Sequence, residues 1–141
     1  VCFLLGKPDA VTSVGMRSRL TTLYHYAACG HVTAAGGWMR GGAAFRMRYV
    51  AELGSGTVDF DLTREPALLA SRAGEPGSEP APVSDGIGGG TGYDGEIAAF
   101  LDAVASGGPP AVTLDDAAAT LDVLEAEAKS LETGVRQPVP A

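Results

Sequence analysis

Hydrophobic and polar positions alternate through the first half of the chain and recur at helical spacing in its last third. Phe45, Met47, Tyr49, Ala51 and Leu53 occupy one set of alternate positions, and Arg46, Arg48, Val50 and Glu52 occupy the other, the period of a half-buried strand over 45–53. Gly54-Ser55-Gly56 then turns the chain into a second strand at 57–62, and a further short strand is expected at 67–71. Upstream, the β-branched run Val11-Thr12-Ser13-Val14 predicts a strand over 10–15. Residues 21–28 and 31–38 flank Cys29-Gly30, and a two-residue link containing Gly predicts that these two strands pair as a hairpin.

The period changes after residue 92. Ile97, Phe100, Leu101 and Val104 fall at i, i+3, i+4 and i+7, one stripe of a helix that ends near Ser106-Gly107. Pro109-Pro110 interrupts the chain, and Thr113-Leu114-Asp115-Asp116 has the form of a capping box opening a second helix. That helix carries Ala117, Leu121, Leu124, Ala128 and Leu131 along one side and closes at Gly134, with Pro138 soon after. Between strands and helices, residues 73–92 are mostly Gly, Pro, Ser, Glu and Asp, a composition that predicts a flexible surface loop with room for one short edge strand.

Strands first and helices last predict an α+β fold, an open and predominantly antiparallel sheet with two C-terminal helices packed on one face, in a single domain over 1–141. Two helices cover only one face of such a sheet. Yet Leu23, Ala27, Val32 and Ala34 are interspersed with Tyr24, Tyr26 and Ala35, so both faces of strands two and three carry apolar or aromatic groups. A solvated face reads more polar than this. Tyr24, His25 and Tyr26 are therefore candidates for a subunit or domain interface, and a homo-oligomer is expected.

At 141 residues with 45% hydrophobic side chains, the chain is long enough for one core. Ten Lys+Arg against seventeen Asp+Glu give a net charge of −7, the wrong sign for neutralising phosphates, so no nucleic-acid partner is expected. No apolar run approaches the roughly 18 residues that a membrane span requires, and no membrane partner is expected. Cys2 and Cys29 have no C-x-x-C spacing, which gives neither a metal site nor a disulfide framework and leaves a reducing, cytoplasmic location as the expectation. The chain opens on Val1, and Val1 to Leu5 reads as the last turn of an apolar helix stopped by Gly6 and Pro8, the pattern of a fragment of something longer.

Few residues offer chemistry. Gly86 to Gly92 precedes a helix, but Thr91 stands where G-x-G-x-x-G needs Gly and Tyr93 stands where a phosphate loop needs Lys, so a connector is the better reading. His25 and His31 have no acidic residue within a few positions to orient either ring, which fits packing better than base catalysis. Asp59 and Asp61 alternate with Phe60 and serve either acid–base work or an outward polar face, the latter being the simpler reading. Trp38, with Arg40 in the following Gly-rich loop, suits a hydroxylated or anionic small molecule and equally suits a core Trp at a strand end. Tyr93, at the start of the first long helix, is a third substrate-side candidate. No nucleophile is paired with a base, and no catalytic, cofactor-binding or metal-ligating residue is assigned.

Three segments in order carry a family resemblance: L-L-G-K-P-D-A-V-T-S-V-G at the start, F-R-M-R-Y-V-A-E-L-G-S-G-T-V-D-F-D-L in the middle, and G-Y-D-G-E-I-A-A-F-L-D-A-V-A-S-G-G-P-P-A-V-T-L-D-D-A through L-E-A-E-A-K-S-L-E-T-G at the end. Together they resemble the C-terminal domain of the glucose-fructose oxidoreductase, inositol 2-dehydrogenase and MocA (Gfo/Idh/MocA) family. The resemblance implies NAD(P)-dependent oxidation of sugars or other polyols, an N-terminal Rossmann domain ahead of this chain, and a sheet face used between subunits. This chain has neither the dinucleotide-binding glycines nor the family's E-K-P motif, and it begins just after the place of the catalytic-His helix. The expectation is thus a substrate-side and oligomerisation domain, inactive alone, with NAD or NADP and a sugar-like substrate belonging to the intact enzyme. Trp38, Arg40 and Tyr93 lie toward the substrate cleft by resemblance. The competing reading is a stand-alone binding or assembly module of the same fold, and a free-standing enzyme using Asp59, Asp61 or His25 ranks third.

Overall fold

The computed structural model describes residues 1–38, 41–42, 44–81 and 92–140. The chain divides into two compact units, one formed by Val1–Gly41 with Gly108–Ala141 and the other by Gly42–Gly107.

In the first unit, a one-turn helix α1 (Cys2–Leu5) leads into β1 (Ala10–Met16), β2 (Arg19–His25) and β3 (Val32–Gly37). The expected apolar turn is present, and the amide of Gly6 closes it on the carbonyl of Cys2 at 2.8 Å. The strands form an antiparallel sheet in the order β3-β2-β1-β8, where β8 is Gln137–Pro138. β2 and β3 pair as expected, but their ladder closes at Tyr24 opposite Val32 and not at Cys29-Gly30. The α1–β1 link also bonds to the end of β2. The Asp9 amide donates to the His25 carbonyl at 2.8 Å, and the Tyr26 hydroxyl donates to the Gly6 carbonyl at 2.8 Å.

The long helix α3 (Leu114–Thr133) lies on β1. Its capping box forms as expected: the Thr113 hydroxyl accepts from the Asp116 amide, and the Asp116 carboxylate accepts from the Thr113 amide at 2.8 Å. Gly134 ends the helix in the left-handed conformation at φ 71°, which a Cβ would disfavour, and its amide returns to the Ser130 carbonyl. The face turned to the sheet differs from the expected one. Val123, Ala126 and Ser130 are buried, whereas Leu121 and Leu124 stand 60% and 51% exposed. Small side chains at these positions let the helix backbone approach β1 closely enough for Ser130 to hydrogen-bond it, which a leucine stripe would prevent. The resulting core joins Val11, Val123, Ala126 and Val139, with Cys2 and Tyr24 packed against it.

In the second unit, β4 (Arg48–Leu53), β5 (Gly56–Asp61), β6 (Leu68–Arg72) and β7 (Glu79–Pro80) form a second antiparallel sheet in that order. β4 begins three residues later than the alternation suggests, and Phe45 lies outside it, 78% exposed. The β4–β5 turn needs Gly56, whose φ is 152° and where a Cβ would run into the Ser71 carbonyl oxygen of the neighbouring strand. β7 is the short edge strand expected within 73–92; residues 82–91 of that segment, including Gly86 to Gly90, lie outside the described residues. Helix α2 (Gly92–Ser106) carries the expected stripe of Ile97, Phe100, Leu101 and Val104, all well exposed.

The α+β class, with antiparallel strands followed by two long helices, is the one the sequence predicts. The strands nevertheless divide into two sheets of four. Among the described residues the β2–β3 ladder ends at Gly37 and the β4–β5 ladder begins at Arg48.

Candidate functional site

Trp38 follows β3, where its amide donates to the Ser18 carbonyl at 2.9 Å and its indole is 85% exposed. This is a presented aromatic surface and not a core Trp. Arg40, its proposed companion, lies outside the described residues. Tyr93, in the first turn of α2, is 75% exposed and belongs to the other unit. No described unit therefore contains all three substrate-side candidates.

Alternation along β2 separates the three interface candidates. Tyr24 pairs with Val11 and points to the α3 side of the first sheet, where its hydroxyl donates to the Glu127 carboxylate at 2.5 Å. Burial, then the hydrogen bond to Glu127 and that carboxylate's charge, push the Tyr24 phenol well above its ordinary 10.0. The Tyr26 phenol is also raised, by burial first and then by the neighbouring thiols of Cys2 and Cys29 and by Asp9. His25 is on the opposite face of the sheet, its Nε2 2.9 Å from the Thr12 hydroxyl. Val14 and Met16 reach 63% and 64% exposure there, beside exposed Thr21, Thr33 and Ala35. Of the three candidates, His25 is the one on the sheet's open face.

Asp59 and Asp61 share one face of β5, as alternation requires. Arg64 donates to the Asp59 carboxylate at 3.0 Å, and Arg48 donates to both its oxygens at 3.3 Å. Hydrogen bonds from Arg64 and then Arg48 hold the Asp59 carboxyl below the usual range. Hydrogen bonds from the Thr63 hydroxyl and amide do the same for Asp61. Both carboxylates are thus engaged by hydrogen bonds from neighbouring residues of their own unit. Arg64 also donates to the carbonyls of Asp59, Pro66 and Ala67, so its guanidinium ties the β5–β6 connection together. Among the described residues no group of three or more His, Cys, Asp and Glu could hold a metal ion.

Two arrangements were not legible in the sequence. The first is a buried polar chain: the Ser13 and Thr22 hydroxyls share a hydrogen bond of 2.8 Å, and the Ser13 amide donates to the Ser130 hydroxyl at 2.9 Å. Recurrence of small residues at Ala119, Val123, Ala126 and Ser130 is the signal that could have found the helix face involved. The second is an apolar face on the second sheet. Tyr49, Phe60 and Leu68 stand in register across β4, β5 and β6, and so do Ala51, Val58 and Ala70, with the Tyr49 and Phe60 rings stacked at 5.0 Å. Tyr49 is 44% and Leu53 60% exposed on this face.

Two antiparallel sheets, one backed by a long capped helix, define an α+β fold with presented aromatic and apolar surfaces. No family model and no curated protein matches the chain. Its fold is similar to a crystal structure from Klebsiella pneumoniae described as a "putative oxidoreductase", with a TM-score of 0.70 and 18% sequence identity. That likeness covers 99% of this chain and 45% of that one, so the chain spans less than half of its structural neighbour. No helix among the described residues is long and apolar enough to cross a membrane.

Proposed function

We propose that this chain is the substrate-side and oligomerisation domain of an NAD(P)-dependent oxidoreductase of the Gfo/Idh/MocA type, acting on a sugar or other polyol. The observation that carries the reading is the fold likeness, over nearly the whole of this chain, to part of a structure described as a "putative oxidoreductase", joined to the ordered sequence resemblance given above. Trp38, Arg40 and Tyr93 are its substrate-side groups, with a rigid aromatic plane and a cation suited to a hydroxylated ligand. The described residues do not fit a dinucleotide. The N-terminus of α3 is closed by its own Thr113–Asp116 box and carries Asp115 and Asp116, which repel a pyrophosphate, and both sheets are antiparallel and lack the crevice of a parallel βαβ unit. In this reading the cofactor and the hydride step are supplied from outside these residues.

In this reading, assembly uses the apolar face of β4, β5 and β6, because an exposed sheet face of Tyr, Leu, Val and Ala is stabilised by covering it. The test is the solution mass of the chain by light scattering, beside a Leu53→Lys variant, with NADH fluorescence titrated in parallel. A wild-type oligomer that Leu53→Lys dissociates, with no enhancement of NADH emission, is the expected outcome. A variant that assembles like the wild type removes the face from the proposal. Saturable NADH binding removes the division of labour and favours a complete enzyme.

A further inference from the structure

Cys2 and Cys29 stand far apart in sequence, and the fold brings both to one side chain, Tyr26. The Tyr26 hydroxyl donates to the Gly6 carbonyl at 2.8 Å, and the Gly6 amide donates to the Cys2 carbonyl at 2.8 Å, so the phenol rests on the helical turn that carries Cys2. Cys29 follows Tyr26 by three residues, in the link from β2 to β3. Both sulfur atoms lie near enough to act on the phenol electrostatically, and Cys2 acts on Tyr24 as well. The two thiols are free and each is partly exposed. They differ in how they are held. Cys2 packs against the core of Val11, Val123, Ala126 and Val139. Among the described residues Ala27 to Gly30 make no backbone hydrogen bond, and the β2–β3 ladder closes before reaching them.

We propose that Cys2 and Cys29 are a redox pair that closes to a disulfide within the folded chain and fastens α1 to the β2–β3 link. One anchored thiol beside another on a link without ladder bonds lets the link alone adjust to the Cα separation of about 5.5–6 Å that a disulfide prefers. Both residues belong to the first unit, so the bond needs nothing from the second. The oxidant is a low-molecular-weight disulfide such as oxidised glutathione. The Cys29 thiolate attacks one of its sulfurs and expels a glutathione thiolate. The Cys2 thiolate then attacks the Cys29 sulfur and expels the second. The two thiol protons end on the two glutathiones, and the two electrons lost by the protein are gained by the reagent. The bond acts on α1, a single turn closed at Gly6 and tied to β2 through Tyr26. A covalent tie at Cys2 removes the separate opening of that turn.

The experiment incubates the dilute chain with oxidised glutathione and follows free thiols and intact mass. The expected product has no free thiol, carries no glutathione and has lost two hydrogens, and trypsin releases it as residues 1–17 joined to residues 20–40. Closure should be at least about tenfold faster in buffer than in concentrated urea, because the fold holds the thiols together. Amide exchange at Leu4, Leu5 and Gly6 should slow in the oxidised chain and recover with dithiothreitol. Cys29→Ser, which alters the link and leaves the core contact of Cys2 in place, should take up one glutathione and form no bridge. A wild-type product with glutathione on both cysteines overturns the proposal, as do chains linked to one another. Closure no faster in buffer than in urea overturns it too, since the fold would then contribute nothing to the pairing.

Discussion

The Ser130 hydroxyl accepts a hydrogen bond from the Ser13 amide at 2.9 Å and donates one to the Val135 carbonyl at 2.8 Å. One fully buried side chain thus joins β1, the last turn of α3 and the segment leading into β8. β8 pairs with β1 only at Ala10 and Val11, so the Ser13 amide lies beyond its reach and is satisfied by the helix. Ser130→Ala leaves that buried donor without a partner and should lower unfolding stability by about 1–3 kcal/mol. Urea denaturation of the two proteins measures it. A variant as stable as the wild type would mean that water replaces the hydroxyl.

The two faces of α3 should respond oppositely to substitution. Leu121→Gln alters an exposed position and should change stability by no more than about 0.5 kcal/mol. Ala126→Leu forces added volume between α3 and β1 and should cost about 1–3 kcal/mol. Thermal melts of both variants decide the orientation of the helix, and the reverse ranking would place the leucine stripe against the sheet.

The Tyr24–Glu127 pair predicts a loss of stability at high pH. The folded phenol holds its proton more tightly than the unfolded one, so the folded state binds more protons once the pH exceeds the ordinary value of 10.0. The contribution of Tyr24 is fully present below pH 10.0 and declines as the pH rises beyond it, with Tyr26 adding in the same direction. Tyr24→Phe should flatten this decline. Denaturant midpoints between pH 8 and 11, taken with tyrosinate absorbance, test it, and a wild-type midpoint that stays level above pH 10 would contradict the pairing.

At the acid end, Asp59, Asp61 and Asp116 are held below their ordinary 3.8. Their contributions are present above that value and are lost as the pH falls through the lower folded values. Arg64 spans the β5–β6 connection through Asp59, so Asp59→Asn should raise amide exchange in residues 59–68 at neutral pH and remove part of the acid sensitivity of the second unit. Exchange unchanged in that segment would show that the carbonyl contacts of Arg64 suffice without the carboxylate.

What the sequence determined by itself is local. The Thr113–Asp116 box and Gly134 mark α3 because capping and left-handed termination involve residues within one helical turn. The stripe of Ile97 to Val104 marks α2, and alternation with glycine turns marks the strands, because both periods are written along the chain. The Asp59 and Asp61 face was legible for the same reason; the arginines that hold Asp59 became visible once β4 paired with β5, setting Arg48 opposite Asp61 and diagonal to Asp59, and the β5–β6 connection folded Arg64 back onto it. The tertiary structure alone decided which face of α3 is buried, since Leu121 and Leu124 look like the core in one dimension while Ala126 and Ser130 permit the close approach that wins in three. It also decided that Tyr24 turns toward Glu127 while His25 turns away, and that the strands form two sheets, because these depend on contacts between residues far apart in sequence.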